Sequence, residues 1–159
     1  MSGLPEIELV LATTPAQMEV VRAMLRDYER EVGVDLCFQG FATELAELPG
    51  AYASPGGRLL LAMRGDDAVG CVAVRSLGDG VAEMKRLYVR PEAKGLGLGR
   101  RLALAILDAA RELGHRRMRL DTLASMTAAI ALYRSLGFRE IAAYTHNPLP
   151  GTLFFEIEL

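Results

Sequence analysis

A strand-like run, three alternating glycines and a long amphipathic helix follow one another between Val81 and Gly114. That succession constrains the fold more than anything else in the chain. Val81-Ala82-Glu83-Met84-Lys85-Arg86-Leu87-Tyr88-Val89 reads as a strand and is stopped by Arg90-Pro91, because proline has no amide to continue a ladder. Leu98, Leu102, Ala105, Ile106, Ala109 and Leu113 then recur at helical spacing, and Gly114 sits where a C′ glycine belongs. Between them, Gly95, Gly97 and Gly99 of Lys94-Gly95-Leu96-Gly97-Leu98-Gly99 bare backbone N–H groups where the helix begins. Orphan amides and the positive end of the helix dipole converge there, making an anion site, most naturally for phosphate. The same glycines also suit a plain tight turn. Neither common nucleotide motif fits: Gly-x-Gly-x-x-Gly needs glycine where Arg100 stands, and Gly99-Arg100-Arg101 does not close a Walker loop.

Around this centre the chain reads as one mixed α/β unit. Ile7 to Ala12 is an expected strand, and Thr14-Pro15-Ala16-Gln17 offers an N-cap, a proline at the first helical position and a capping-box glutamine. The helix so started carries Met18, Val21, Met24, Leu25 and Tyr28 on one face, to about Val32. A looser segment, 33–40, precedes a short helix with Phe41, Leu45 and Leu48 on one face, closed by Pro49-Gly50, and Ser54-Pro55-Gly56-Gly57 is a loop. Strands expected over 58–64, 68–77 and 81–89 are joined by Gly65-Asp66-Asp67 and Gly78-Asp79-Gly80, turns short enough to imply an antiparallel meander. A strand over 117–123 follows the long helix, so the pair flanking that helix is parallel through a right-handed crossover. A last helix, about Met126 to Leu136, ends at Gly137, and 138–142 and 152–159 close the chain as strands. The expectation is a single α/β (α+β) domain over residues 1–159 with about six or seven strands and about four helices.

Composition removes several function classes. A formal net charge of −2 over 159 residues gives no global pull toward nucleic acid or anionic membranes. The N-terminus lacks a basic region followed by an apolar run, and no apolar stretch approaches the roughly 20 residues of a membrane helix. Cys37 and Cys71 are too few for a disulfide framework or a four-ligand zinc site, and with His115 and His146 the only histidines no metal is expected. A soluble cytoplasmic protein without a nucleic-acid or membrane partner is the expectation.

The order of elements, with these residues at the joints, resembles the GNAT superfamily of acetyl-CoA-dependent N-acetyltransferases. That family's loop signature is Arg or Gln, two residues, Gly, one residue, then Gly or Ala, after a strand often ending in Val-x-Pro. Val89-Arg90-Pro91 and Lys94 through Gly99 match it, with Lys94 supplying charge but not the forked geometry of arginine. A second signature is matched in order and spacing by Ala129, Leu132-Tyr133 and Gly137-Phe138, with Met126 where asparagine is often found. The resemblance implies that the strand carrying Leu87, Tyr88 and Val89 splays from the strand at 117–123 and opens an acyl-CoA cleft. Free backbone groups there would pair with pantetheine amides. The pyrophosphate would rest on amides of Gly95, Leu96, Gly97, Leu98, Gly99 and Arg100, and Met126, Ala129 and Tyr133 would line the far side of the arm near the thioester.

Acetyl transfer to an amine needs a proton removed, because an alkylammonium of pKa about 10 is no nucleophile at neutral pH. It also needs donors for the oxyanion and an acid near the departing thiolate. Tyr133 shares a helix face with Ala129, Ile130 and Leu136, which alone makes it a core tyrosine; the resemblance makes it the acid beside the CoA sulfur. Glu83 is the candidate base, directly or through a water chain. As a strand residue it shares a face with Lys85, Leu87 and Val89, leaving Arg86 and Tyr88 opposite, and a rim pair with Lys85 is the competing assignment. Acceptor residues are expected from the link holding Asp35, Cys37, Phe38, Gln39 and Phe41, and from Tyr144, Thr145, His146 and Asn147 before Pro148; each also serves as an ordinary junction or loop residue. Cys71 is a small inward-facing core residue. Lys85, Arg86, Arg90 and Lys94, with Arg100-Arg101 and Arg116-Arg117, form a basic patch suited to the phosphates of CoA, and no aromatic platform interleaves with it to stack nucleic acid. The chain is thus read as an acetyl-CoA-dependent N-acetyltransferase acting on a primary amine of a small molecule or peptide, compatible with a homodimer through its C-terminal strands. A catalytically silent acyl-CoA-binding domain and an unrelated nucleotide-binding protein are the alternatives.

Overall fold

Thr14 caps the first helix as its sequence predicts. Its hydroxyl accepts from the Gln17 amide at 3.2 Å, and Gln17 Oε1 accepts in return from the Thr14 amide at 3.0 Å. This capping box, with Pro15 behind it, starts α1 (Pro15–Val32), which buries Met18, Val21, Met24 and Leu25 along one stripe and ends at Gly33. The computed structural model describes residues 6–33 and 40–159. β1 (Ile7–Leu11) precedes α1; α2 (Phe41–Glu47) and a 3-10 turn (Gly50–Tyr52) follow it. Then come β2 (Arg58–Arg64), β3 (Asp67–Gly78), β4 (Val81–Val89), a 3-10 turn (Pro91–Ala93), α3 (Leu98–Glu112), β5 (Arg117–Thr122), α4 (Thr127–Leu136), β6 (Arg139–Ile141) and β7 (Leu153–Glu158).

The strands form one sheet in the order β1-β2-β3-β4-β5-β7-β6. Neighbours are antiparallel except β4 and β5, which are parallel because α3 carries the chain back to the starting edge between them. The expected mixed, mostly antiparallel sheet is therefore present. Alternation along β3 distributes side chains to two cores. Val72 and Val74 join Leu102 and Ile106 of α3 and Tyr133 of α4, whereas Cys71 and Ala73 join Met24 and Leu25 of α1 and Phe41 and Leu45 of α2.

β4 breaks its own alternation at Arg86. Cys71 faces Tyr88 and Ala73 faces Lys85, so three steps on β4 oppose two on β3, and the extra residue, Arg86, takes a left-handed φ of 60°. This conformation costs a non-glycine residue about 1 kcal/mol or more. Its surroundings hold it in place: the Arg86 guanidinium forks onto Glu44 of α2 at 2.9 and 2.8 Å and lies 4.9 Å from the Phe41 ring centre. The Cys71 thiol donates to the Arg86 carbonyl at 3.3 Å. Burial pushes that thiol up to about 12, which makes Cys71 an inert core residue.

The bulge corrects the expected facing of β4. Leu87 and Val89 pack against the α3 core, Tyr88 belongs to the α1–α2 core, and Arg86 reaches α2. Glu83 and Lys85, opposite Arg75 and Ala73, stand on the α1–α2 face. Glu83 therefore shares a face with Lys85 but not with Leu87 and Val89, and Arg86 and Tyr88 are not opposite to it. A bulge also steepens the local twist. β4 and β5 pair from Val81↔Arg117 only to Glu83↔Arg119, while β5 continues against β7 to Thr122↔Leu153. Past Glu83 the two parallel strands diverge.

Candidate active site

The fork holds a cleft of about 620 Å³. Leu87, Tyr88 and Val89 of β4 form one wall, Met126, Ala129 and Leu132 the other, the glycine loop closes one end, and Tyr28, Glu31 and Val32 of α1 complete it. Arg90 donates its amide to Val69 O of β3 at 2.9 Å, so strand alternation turns the backbone groups of Val89 and Leu87 toward the open side.

Gly95 and Gly97 have φ of 82° and 71°, and a Cβ on either would meet nothing within 4 Å. Conformation, not crowding, is what requires glycine there. Gly97 caps α3 without a side chain, and the first helical bond runs from the Arg101 amide to Gly97 O at 3.1 Å. The amides of Leu98, Gly99 and Arg100 lie ahead of it, at the positive end of the helix. An unpaired strand edge for amides, apolar walls for a chain and free helix amides for phosphate suit an acyl-CoA.

Other cofactor candidates are spent differently. The Lys94 ammonium pairs with Glu31, which also accepts from the Tyr88 hydroxyl at 2.9 Å. The Lys94 hydrogen bond, more than any other influence, holds the Glu31 carboxyl below its ordinary value; burial and that carboxylate push the Tyr88 phenol up to about 12. Leu96 is exposed and outside the cleft lining, and Arg100 donates to Ser135 Oγ at 3.2 Å. The expected basic patch is not one surface. Arg86 is bound to Glu44, Arg90 to Asp27 at 2.7 Å and Arg101 to Ile7 O at 3.0 Å, while Arg116 and Arg117 lie beside Gly80 at the opposite end of β5.

Sharing Tyr28, Val32, Leu87 and Met126 with the cleft, a tighter recess of about 50 Å³ sits where the strands part. Tyr133 lines it. The ring is 6% exposed and packs edge-on against Phe138 at 5.7 Å, and its hydroxyl has no hydrogen-bond partner among the described residues. Burial drives its pKa well above the ordinary phenol value, so Tyr133 keeps its proton at neutral pH. Met126 accepts from Thr122 Oγ1 at 3.7 Å at the recess rim.

Glu83 is a buried carboxylate, not a rim charge paired with Lys85. Arg75 Nε donates to its Oε1 and the Tyr144 hydroxyl to its Oε2, each at 2.7 Å. Tyr144, one of the acceptor candidates, stands on Phe154 at 5.4 Å, with the Arg119 guanidinium 5.4 Å from its ring centre. Burial, then the Glu83 charge, raises its pKa. Phe38 and Gln39 lie outside the described residues.

Sequence reasoning passed over Asp121, which lines the recess 3.9 Å from the Lys85 ammonium and accepts from Asn147 Nδ2 at 3.2 Å. Its signal was a single acid in an otherwise alternating strand, indistinguishable from an exposed one until β4 is placed beside it. Among the described residues no group of His, Cys, Asp and Glu is arranged to hold a metal, and no helix is long and apolar enough to cross a membrane.

Residues 21–138 match the acetyltransferase (GNAT) family. The chain is 39% identical to an N-acetyltransferase of Schizosaccharomyces pombe, over 96% of this chain and 95% of that protein. It is 36% identical to the IAA acetyltransferase of Azospirillum brasilense, over 90% and 92% of the two chains. Among solved structures, an acyl-CoA N-acyltransferase of Klebsiella pneumoniae superposes with a TM-score of 0.72 at 29% identity, over 96% of this chain and 97% of that one.

Proposed function

The chain belongs to the acetyltransferase (GNAT) family, and on that premise we propose that it moves an acetyl group from acetyl-CoA directly to a primary amine of a small molecule or peptide, in the cytoplasm. One observation carries the reading: an open strand edge, a helix start with free amides and a buried tyrosine hydroxyl, unpartnered among the described residues, meet in a single fork. Acyl-CoA supplies, when bound, an acyl group already activated as a thioester. Leu87 and Val89 bind the arm through backbone groups, Gly95 to Arg100 bind the phosphates through amides, and Met126 and Ala129 exclude water from the far wall.

Tyr133 holds its proton at Oη inside the recess and gives it up to an anion formed there. Glu83, which lies behind the recess lining with Tyr144 Oη donating to its Oε2, accepts the proton of the incoming ammonium through a water chain. Asp121 faces the recess and orients the ammonium.

The test is release of CoA thiol from acetyl-CoA with pooled amines, on the intact protein and on Tyr133→Phe. We expect release with an acceptor pool, and a loss of about 100-fold in kcat for Tyr133→Phe with little change in acetyl-CoA affinity. Equal turnover by the variant would remove Tyr133 as the acid. Tight acetyl-CoA binding with no release from any pool would instead support a silent acyl-CoA-binding domain.

A further inference from the structure

Lys85 is a buried cation whose hydrogen-bonding capacity is unused. Its side chain is 12% exposed and lines the recess at the fork. It makes no hydrogen bond among the described residues. The nearest carboxylate oxygen, Asp121 Oδ1, stands 3.9 Å away, beyond hydrogen-bond range, and Asp121 is already engaged by Asn147. An ammonium has three donors and no acceptor, and burying it with those donors unused is costly even with a carboxylate at ion-pair distance. Burial, reinforced by the neighbouring Arg86 charge, lowers its pKa, which an arriving anion would oppose. The other cations of this region are satisfied: Arg86 by Glu44, Arg75 by Glu83 and Arg119 by Glu156. Among the described residues Lys85 alone keeps donors free beside Tyr133, in the recess that continues from the cleft at the fork.

We propose that the acceptor is an amino acid, its carboxylate bound by the Lys85 ammonium and its own ammonium facing Asp121. The amine half of this assignment rests on the transferase reading above; the carboxylate half rests on Lys85 itself. A monoanion suits the site because Asp121 and Glu83 stand close by and penalise a second negative charge. The recess is also too small to admit more than a compact group.

The experiment pairs substrates that differ only in the carboxylate: alanine against ethylamine and alaninamide, and leucine against isoamylamine. Each is assayed for CoA thiol release by the intact protein, Lys85→Met and Lys85→Arg. We expect the intact protein to favour the carboxylate-bearing partner by roughly 10- to 100-fold in kcat/KM, the range of a hydrogen bond to a charged group. That preference should collapse to within a few-fold in Lys85→Met and survive in part in Lys85→Arg, a rescue that a misfolded variant would not show. Equal use of ethylamine and alanine by the intact protein would overturn the proposal and leave the transferase standing, as would an undiminished preference in Lys85→Met. If no amine of either kind is acetylated, the transferase reading fails by itself. Saturation-transfer NMR of alanine on the CoA-loaded protein then decides: alanine bound by the intact protein but not by Lys85→Met sustains the carboxylate site, and no alanine binding overturns it.

Discussion

The two walls of the fork are built from different materials. On the side proposed for the cofactor the groups on offer belong to the backbone: the edge of β4 at Leu87 and Val89, left-handed Gly95 and Gly97, and the amides that open α3. On the side proposed for the acceptor they are side chains, most of them brought together from far along the chain, as Arg86 with Glu44, Tyr144 with Glu83, and Lys85 with Asp121. A site made of backbone tolerates side-chain change and fails when a dihedral angle is denied to it. A site made of buried charges tolerates backbone detail and fails when one partner is lost.

The sharpest way to break the acceptor side is Glu44→Gln. It leaves the Arg86 guanidinium buried and uncompensated, and unfolding in urea should show a loss of about 3 kcal/mol. The same variant carries a pH signature. Burial alone would raise the Glu44 carboxyl, but the Arg86 hydrogen bonds and charge outweigh it and hold the group below its ordinary value. A carboxyl whose folded pKa lies below its unfolded value of about 4.3 gives stability that is complete above that value and lost as pH falls through the folded one. The intact protein should therefore lose Tm steadily below pH 4, by an increment that Glu44→Gln no longer has to lose.

On the cofactor side the comparable injury is Gly97→Val. Valine at a left-handed position is strained by about 2 kcal/mol, and relieving that strain moves the amides. Acetyl-CoA should bind about 30-fold more weakly by calorimetry, with Tm lowered by about 4–8 °C, less than in Glu44→Gln. A large drop in Tm with unaltered affinity would erase the contrast between the walls. The smallest effect is expected from Glu31→Gln. It frees Lys94 and removes a negative charge beside the phosphate amides, so acetyl-CoA should bind about two- to threefold more tightly at low salt. Weaker binding would mean that Glu31 serves chiefly to hold α1 over the cleft.

The same contrast explains what could be read from the sequence. Backbone sites leave short, contiguous traces: Val89-Arg90-Pro91, the alternating glycines and the Ala129–Phe138 spacing all announced their places, and the capping box at Thr14 fixed where α1 begins. Side-chain sites leave none. Nothing local ties Arg86 to Glu44, 42 residues away, or Tyr144 to Glu83, 61 residues away. The facing of Leu87 and Val89 was misread because alternation presumes an unbroken strand, and the positive φ of Arg86 is set by partners outside the strand. Tyr133 is the instructive intermediate. Helical spacing marks it as a core residue, which it is; that its hydroxyl is unspent shows only when the recess is seen.

The extra residue at Arg86 is best thought of as a half-period slip in a wave. Upstream of it, odd-numbered residues of β4 face α1 and α2; downstream, odd-numbered residues face α3. Deleting that one residue would shorten the strand by a single step and leave Leu87 and Val89 in one core and Tyr88 in the other, whereas drawing Arg86 into regular extended strand would swing Leu87 and Val89 out of the first and Tyr88 out of the second. Position in this strand therefore has to be counted from the slip and not from either end, and any comparison with an unbulged strand that leaves out the gap assigns every downstream side chain to the wrong face.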